Sequence, residues 1–185
     1  MPVIDRVDVD EAARRVQTAL GSKASEVTVN FDSVEVTCRP DNLVDVMTTL
    51  RDADGIRCRY FCFLSGVDRS EYPVEEGEEQ PQLELLVRVS SPEHVVHVTV
   101  HVALEMTGAV VPSISGVYRG ALWHERECHE MFGIDFEGHP RLVGIYLPED
   151  FEGHPGLRSF KLPARTVVKE WPGAKDPDEA AAGGR

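Results

Sequence analysis

Two groups of residues carry side chains that could do chemistry. The first is His124-Glu125-Arg126-Glu127-Cys128-His129-Glu130-Met131-Phe132-Gly133. It looks at first like a zinc-binding helix. A zinc helix needs two histidines at i and i+4 so that both face one ion. Here they stand at i and i+5, roughly 140° apart around a helix. A helical wheel places Val117, Ala121, His124, Cys128, Met131 and Phe132 near one apolar stripe. His124 then reads as a histidine satisfied in a core or an interface. Arg126 and Glu130 are i,i+4 partners. The charges Glu125, Arg126, Glu127 and Glu130 admit two readings, a solvated helix face or a charged docking surface.

The second group is a duplication. Asp135-Phe136-Glu137-Gly138-His139-Pro140-Arg141-Leu142 recurs as Asp150-Phe151-Glu152-Gly153-His154-Pro155-Gly156-Leu157, with seven of eight positions identical at an offset of 15. One recurrence builds no solenoid. Each copy reads as a fixed turn. Gly supplies a backbone angle other residues avoid, Pro fixes the next one, and His before Pro is extended. Phe gives each turn an apolar anchor. The histidines could form a metal or proton-transfer pair, or could hydrogen-bond backbone groups in the turns; neither has a second ligand at standard spacing. Cys58 and Cys62, if on a strand, sit about 13 Å apart and cannot share an ion. The same holds for His97 and His101. No glycine-rich phosphate loop, dinucleotide fingerprint or GxSxG is present. No residue is selected as catalytic, none as a metal ligand, and no cofactor site is expected.

The elements that must position these groups are legible in the hydrophobic pattern. Helices are expected at Val9 to Leu20, Pro40 to Leu50 and Gly116 to Phe132, the last closed by Gly133. Strands are expected at Glu26 to Asn30, Val34 to Thr37, Cys58 to Leu64, Leu83 to Val89 and Val95 to Leu104. Turns are expected at Phe31-Asp32-Ser33 and Ser90-Ser91-Pro92-Glu93. The fold class is α+β: a small mixed or antiparallel sheet with two to three helices and a long irregular C-terminal extension. Residues 1–121 form the core domain. Residues 122–185 form the signature helix and a tail that cannot build its own core and must lie on this domain or on a partner. The last segment, Asp176 to Arg185, reads as frayed.

The 185 residues suffice for one domain with a real core. A net charge of −13 disfavours nucleic acid and anionic membrane surfaces. The acidic connection Glu71 to Gln80 holds five glutamates and reads as solvated. No signal peptide and no membrane span are read. The cysteines, Cys38, Cys58, Cys62 and Cys128, have no iron–sulfur spacing and read as free, mostly buried thiols in a reducing compartment.

The run Glu125-Arg126-Glu127, Glu130, Met131-Phe132-Gly133-Ile134, then Phe136 with Gly138-His139-Pro140, resembles the signature of the C-type subunit of complex I, the proton-pumping NADH-quinone oxidoreductase. The likeness extends from Trp123 to about Gly173, and includes the second His–Pro turn, Val167-Val168-Lys169 and Trp171-Pro172-Gly173. It departs at Glu130, where that family usually has Asp, at Gly144, where an Arg is common, and at Gly156, an added residue before Leu157-Arg158. The resemblance implies a peripheral-arm component on the cytoplasmic face of a bacterial membrane. Such a chain binds no flavin, quinone or iron–sulfur cluster, docks on the large D-type subunit near the B-type one, and reaches the membrane only through the complex. The docking residues it implies are Glu125, Arg126, Glu127, Glu130, Met131, Phe132, Gly133, Phe136, Gly138, His139, Pro140, Phe151, Gly153, His154, Pro155 and Arg158. The alternatives are the equivalent component of a membrane-bound hydrogenase, or a metalloenzyme using His124, Cys128, His139 and His154.

Overall fold

The computed structural model describes residues 6–73 and 82–161. Most of the acidic connection and everything from residue 162 onward, with Val167-Val168-Lys169, Trp171-Pro172-Gly173 and the final segment, lie outside the described residues.

Asp8 opens the first helix, α1 (Val9–Leu20), by accepting the Asp10 amide at 3.0 Å. Helix α1 buries Ala12, Val16 and Leu20, one face at helical spacing. Strands β1 (Ala24–Asn30) and β2 (Ser33–Cys38) form the expected hairpin. A single turn at Pro40–Asn42 then leads into α2 (Leu43–Asp52), which buries Leu43, Val46, Met47 and Leu50. Strands β3 (Tyr60–Asp68), β4 (Leu83–Ser91) and β5 (Val96–Leu104) complete a five-stranded sheet in the order β1-β2-β5-β4-β3. All pairs are antiparallel except β2 with β5, so the sheet is mixed.

Period-two patterning decides which way each strand faces. Val34 and Val36, then Leu85, Val87 and Val89, then Val98, Val100 and Val102, are fully buried on one face with the residues of α1 and α2. The opposite face carries Glu35, Arg88, Thr99 and His101, and the far strand β3 is covered by the third helix.

The third helix, α3, is Ala121–Phe132, five residues shorter than the pattern suggests. Residues 114–120 are consecutive turns instead: the amides of Val117 and Tyr118 return to the Ile114 carbonyl. Gly116 and Gly120 are poor helix formers. The Tyr118 hydroxyl donates to the buried Cys58 carbonyl at 2.6 Å, which fastens the turns to the segment leading into β3. Strand β3 starts later than expected and runs on to Asp68. It passes through Gly66, where a Cβ would lie 2.7 Å from the Phe132 ring. That glycine in a strand marks a close approach by α3. Two three-residue strands escape the pattern: β6 (Val110–Pro112) and β7 (Asp135–Glu137) pair in parallel beside α3.

On the open face His101 lies between two carboxylates, Nδ1 2.7 Å from Glu84 and Nε2 2.6 Å from Glu35. Arg69 holds the other Glu84 oxygen at 2.6 Å. The hydrogen bond to Glu84, with that to Glu35, outweighs burial and raises the pKa of His101 above its ordinary value. Protonated His101 thus ties β2, β5 and β4 together. A raised folded-state value means this stabilisation is complete below the unfolded value, about 6.5, and is lost as pH rises through the folded one. Glu84 is held below its ordinary value despite its burial, so its share is lost only in acid. His101→Gln should therefore lower Tm most between about pH 5 and 6.5. The gap to the parent should narrow steadily in alkaline buffer, and a gap constant with pH would refute this assignment.

Candidate functional site

Helix α3 is where the signature residues meet, and the structure uses most of them on its own backbone. Glu125 is fully buried, against the expectation of a charged outer face. It falls four residues after Ala121 and three before Cys128, both buried, and so lies on the inner stripe. One carboxylate oxygen accepts the Ile114 amide at 2.7 Å and the other the Ser113 hydroxyl at 2.6 Å. Burial raises its pKa, and the Ser113, Ile114 and His139 contacts oppose that rise without cancelling it.

Arg126 and Glu130 do not simply pair with each other. They address the same backbone segment from adjacent turns of the helix. Arg126 donates from Nε to the Val143 carbonyl and from a terminal nitrogen to the Gly144 carbonyl, both at 2.8 Å. Glu130 accepts the amides of Ile145, Tyr146 and Leu147 at 2.8–3.2 Å. Burial pushes the Glu130 carboxyl upward, but these three amides and Arg126 outweigh it and hold its pKa below the ordinary value. A Cβ at Gly144 would fall 2.6 Å from a Glu130 oxygen. The longer acid at 130 and the glycine at 144, the two departures noted above, therefore fit one another sterically.

The duplicated turns dock at the two ends of α3. Gly138 and Gly153 both take left-handed angles, φ 80° and 94°. In the first copy the His139 side chain is enclosed. Its Nδ1 accepts the Arg141 amide, its Nε2 donates to the Leu122 carbonyl at 3.1 Å, and that nitrogen stands 3.9 Å from Glu125. In the second copy His154 donates from Nδ1 to the Glu130 carbonyl at 2.9 Å, and the Gly156 amide donates to Met131 at 2.8 Å. The last carbonyls of a helix need outside donors. Gly133, His154 and Gly156 supply them to His129, Glu130 and Met131 in turn. The phenyl anchors differ between copies: Phe136 is buried, whereas Phe151 is 40% exposed and stacks on Phe160. Phe132 is clasped between Gly66 and Gly156, and Arg158 folds back onto Asp68 through its amide and side chain.

His124 turns to the backbone of Leu64 and packs edge-on against Phe61. Cys128 is buried, which drives its thiol pKa up to about 12. His124, Cys128, His139 and His154 thus point to four different surroundings. Among the described residues no group of three or more His, Cys, Asp or Glu side chains is placed to hold a metal ion. Glu127 and Met131 are half-buried, and Pro140 is exposed. Facing outward are Trp123, 60% exposed with Arg126 over its ring at 5.1 Å, and Val143 and Tyr146 on the strapped segment. Neither Val143 nor Tyr146 stands out in the sequence. No helix among the described residues is long and apolar enough to cross a membrane.

Glu125→Ala removes a charged acceptor from two enclosed donors and should cost about 3 kcal/mol. At this chain size that is a fall of roughly 6–12 °C in Tm. Gly156→Ala would place a Cβ 2.7 Å from the Met131 carbonyl oxygen and should lift the second turn. Trypsin cleavage at Arg158 and Lys161 should then accelerate by about tenfold, the factor that weakening the docked state by ~1.4 kcal/mol produces. Unchanged cleavage would mean the turn is not held where the structure has it.

Over residues 36–166 the chain matches the family described as respiratory-chain NADH dehydrogenase, 30 Kd subunit. It is similar to the C-type subunit of NADH-quinone oxidoreductase from Mycolicibacterium gilvum, 34% identical over 173 residues, covering 91% of this chain and 73% of that one. The counterpart in Salinispora arenicola is 31% identical over 170 residues, covering 92% of this chain; the chain spans 66% of that relative's length. In Roseiflexus sp. the identity is 37% over 135 residues, 73% of this chain and 74% of the relative. The fold is shared with a trypsin-resistant fragment (1-134) of Nqo5, at a TM-score of 0.55 and 19% identity over 70% of this chain and 97% of that one. It is also shared with a chain of the membrane-bound sulfane sulfur reductase, an archaeal respiratory membrane complex, at a TM-score of 0.66 and 20% identity over 91% and 96%. The chain belongs to the family of the 30 Kd, or C-type, subunit of respiratory-chain NADH dehydrogenase.

Proposed function

We propose that this chain is a structural subunit of the peripheral arm of an NADH-quinone oxidoreductase. It holds no flavin, quinone or iron–sulfur cluster and contributes no reacting group. It docks on the large D-type subunit, with the B-type one alongside, through α3 and the segments strapped to it, and meets the membrane only through the complex. In its host, electrons pass from NADH to quinone in other subunits.

One observation carries this reading. Glu125, Arg126 and Glu130, three of the four charges of the α3 signature, bind backbone groups of this chain, and beside them stands an aromatic surface. Trp123, Val143 and Tyr146 are 60%, 43% and 61% exposed, with the Arg126 guanidinium stacked on the indole. Trp, Tyr and Arg are the residue types that dominate binding energy at protein interfaces. Their backbone is fixed before a partner arrives, which lowers the ordering cost of association. The rest of the signature would act on docking indirectly, by holding that surface in shape.

The test is recovery of the tagged chain from gently solubilised membranes, with partners identified by mass spectrometry. B- and D-type subunits together with flavin-bearing subunits are expected. A hydrogenase-type large subunit would instead assign the chain to the related membrane complex, and recovery of the chain alone would overturn the scaffold reading. Trp123→Ala should leave the Tm of the free chain nearly unchanged and weaken retention of the D-type partner about 30-fold, the loss of a ~2 kcal/mol anchor.

A further inference from the structure

The hairpin between β1 and β2 turns through Phe31 and Asp32, at φ 46° and 56°. Both angles are left-handed, a region that suits Gly and Asn and that bulky side chains avoid. Two-residue hairpin turns with both central angles positive are dominated by Asn, Asp and Gly for that reason. The Phe31 side chain gains nothing from burial in return: it is 96% exposed, well above every other large apolar residue described. Val29, on the same arm, is 39% exposed. An isolated chain would fold as well or better with Asn at position 31.

The surroundings have a definite charge. Residues 24–38 hold Glu26, Asp32 and Glu35 and no Lys or Arg. Glu35 is matched by His101 and Asp32 is exposed at the tip, whereas Glu26 lies at the far end of β1, opposite Thr37. Strand β1 is the outermost strand of the sheet, at the opposite edge from β3, on which α3 packs. Four strand spacings separate the two edges, about 19 Å. The tip is therefore not part of the α3 surface.

We propose that Phe31 is an interface anchor that inserts into an apolar pocket with a basic rim on a neighbouring protein of the assembly, a second contact remote from α3. An unfavourable backbone geometry retained under an exposed aromatic ring is accounted for when the ring is buried in the assembled state. The Asp32 carboxylate next to the ring supplies the charge complementarity to a basic rim that orients it. This inference rests on the reading of the chain as part of a respiratory assembly.

Hydroxyl-radical footprinting of Phe31, in the purified free chain and in the assembly isolated through the same tag, reads the contact directly. Rapid oxidation of Phe31 in the free chain and at least tenfold protection in the assembly are expected. Two variants separate ring from backbone. Phe31→Asn keeps the turn without the ring; it should maintain or raise the Tm of the free chain and reduce retention in the assembly at least tenfold. Asp32→Gly eases the turn and keeps the ring but removes its rim charge; it should raise Tm and lower retention by about fivefold at most, the share of one exposed charge pair and well short of the loss in Phe31→Asn. Equal oxidation of Phe31 in both states, or full retention of Phe31→Asn, would overturn the proposal while the scaffold reading stands. Protection of the free chain that grows with its concentration would assign the pocket to a second copy and overturn the choice of partner. Recovery of the chain without any respiratory partner would overturn both readings together.

Discussion

The amides of Ile145, Tyr146 and Leu147 belong to no helix and no strand, and one carboxylate, Glu130, accepts all three. A segment without regular structure offers its amides no backbone partners, and here a side chain takes them. An ionised carboxylate is the strongest acceptor available, with two oxygens to share. Arg126 completes the clamp by taking the carbonyls just before them. The path of the chain from Arg141 to Leu147 follows from these two side chains one turn apart on α3. Glu125 does the same for residues 113–115 on the inner side of the helix. A single helix thereby organises backbone before it and after it.

The two His–Pro turns fit the same scheme. They are near-identical in sequence because each brings a histidine nitrogen to a carbonyl of α3 while glycine takes the left-handed angle that the bend requires. The two carbonyls, at Leu122 and Glu130, are eight residues apart, about 12 Å along the helix. The second turn also caps the helix end. Its added residue, Gly156, is the one whose amide reaches Met131 and whose missing side chain leaves room for Phe132. An insertion that looks like a disruption of the signature is thus part of the packing.

Local pattern makes the sheet and two of the helices legible. Leu83 to Val89 and Val96 to Val102 alternate because one face is enclosed, and Leu43, Val46, Met47 and Leu50 recur because one helix stripe is. The parallel pairing of β2 with β5 is not legible, since nothing local distinguishes it from an antiparallel one. Strands β6 and β7 have too few residues to show a period. Helix α3 begins later than its pattern because the spacing of Val117 and Ala121 continues the apolar stripe backward, while the glycines and Tyr118 hold the chain in turns. At the site, the absence of second ligands points the turn histidines to backbone acceptors, which is where they lie. Glu125 misleads because its charge suggests an outer face while its position is an inner one: Ala121 and Cys128 flank it on the buried stripe, and Ser113 and Ile114 provide the donors. The exposed Trp123–Tyr146 surface is out of reach of sequence because it depends on where the strap crosses the helix, a long-range consequence of the Arg126–Glu130 clamp.

Amide hydrogen exchange on the isolated chain, without any partner, tests the central claim that α3 orders the following segment by itself. The amides of Ile145, Tyr146, Leu147 and Gly156 should be slowed at least a hundredfold relative to unstructured peptide, the protection that about 2.7 kcal/mol of local stability provides. In the same sample Glu130→Ala should release the first three. Exchange of all four at the unstructured rate would show that the strap forms only on a partner, and the account of α3 as its organiser would be wrong.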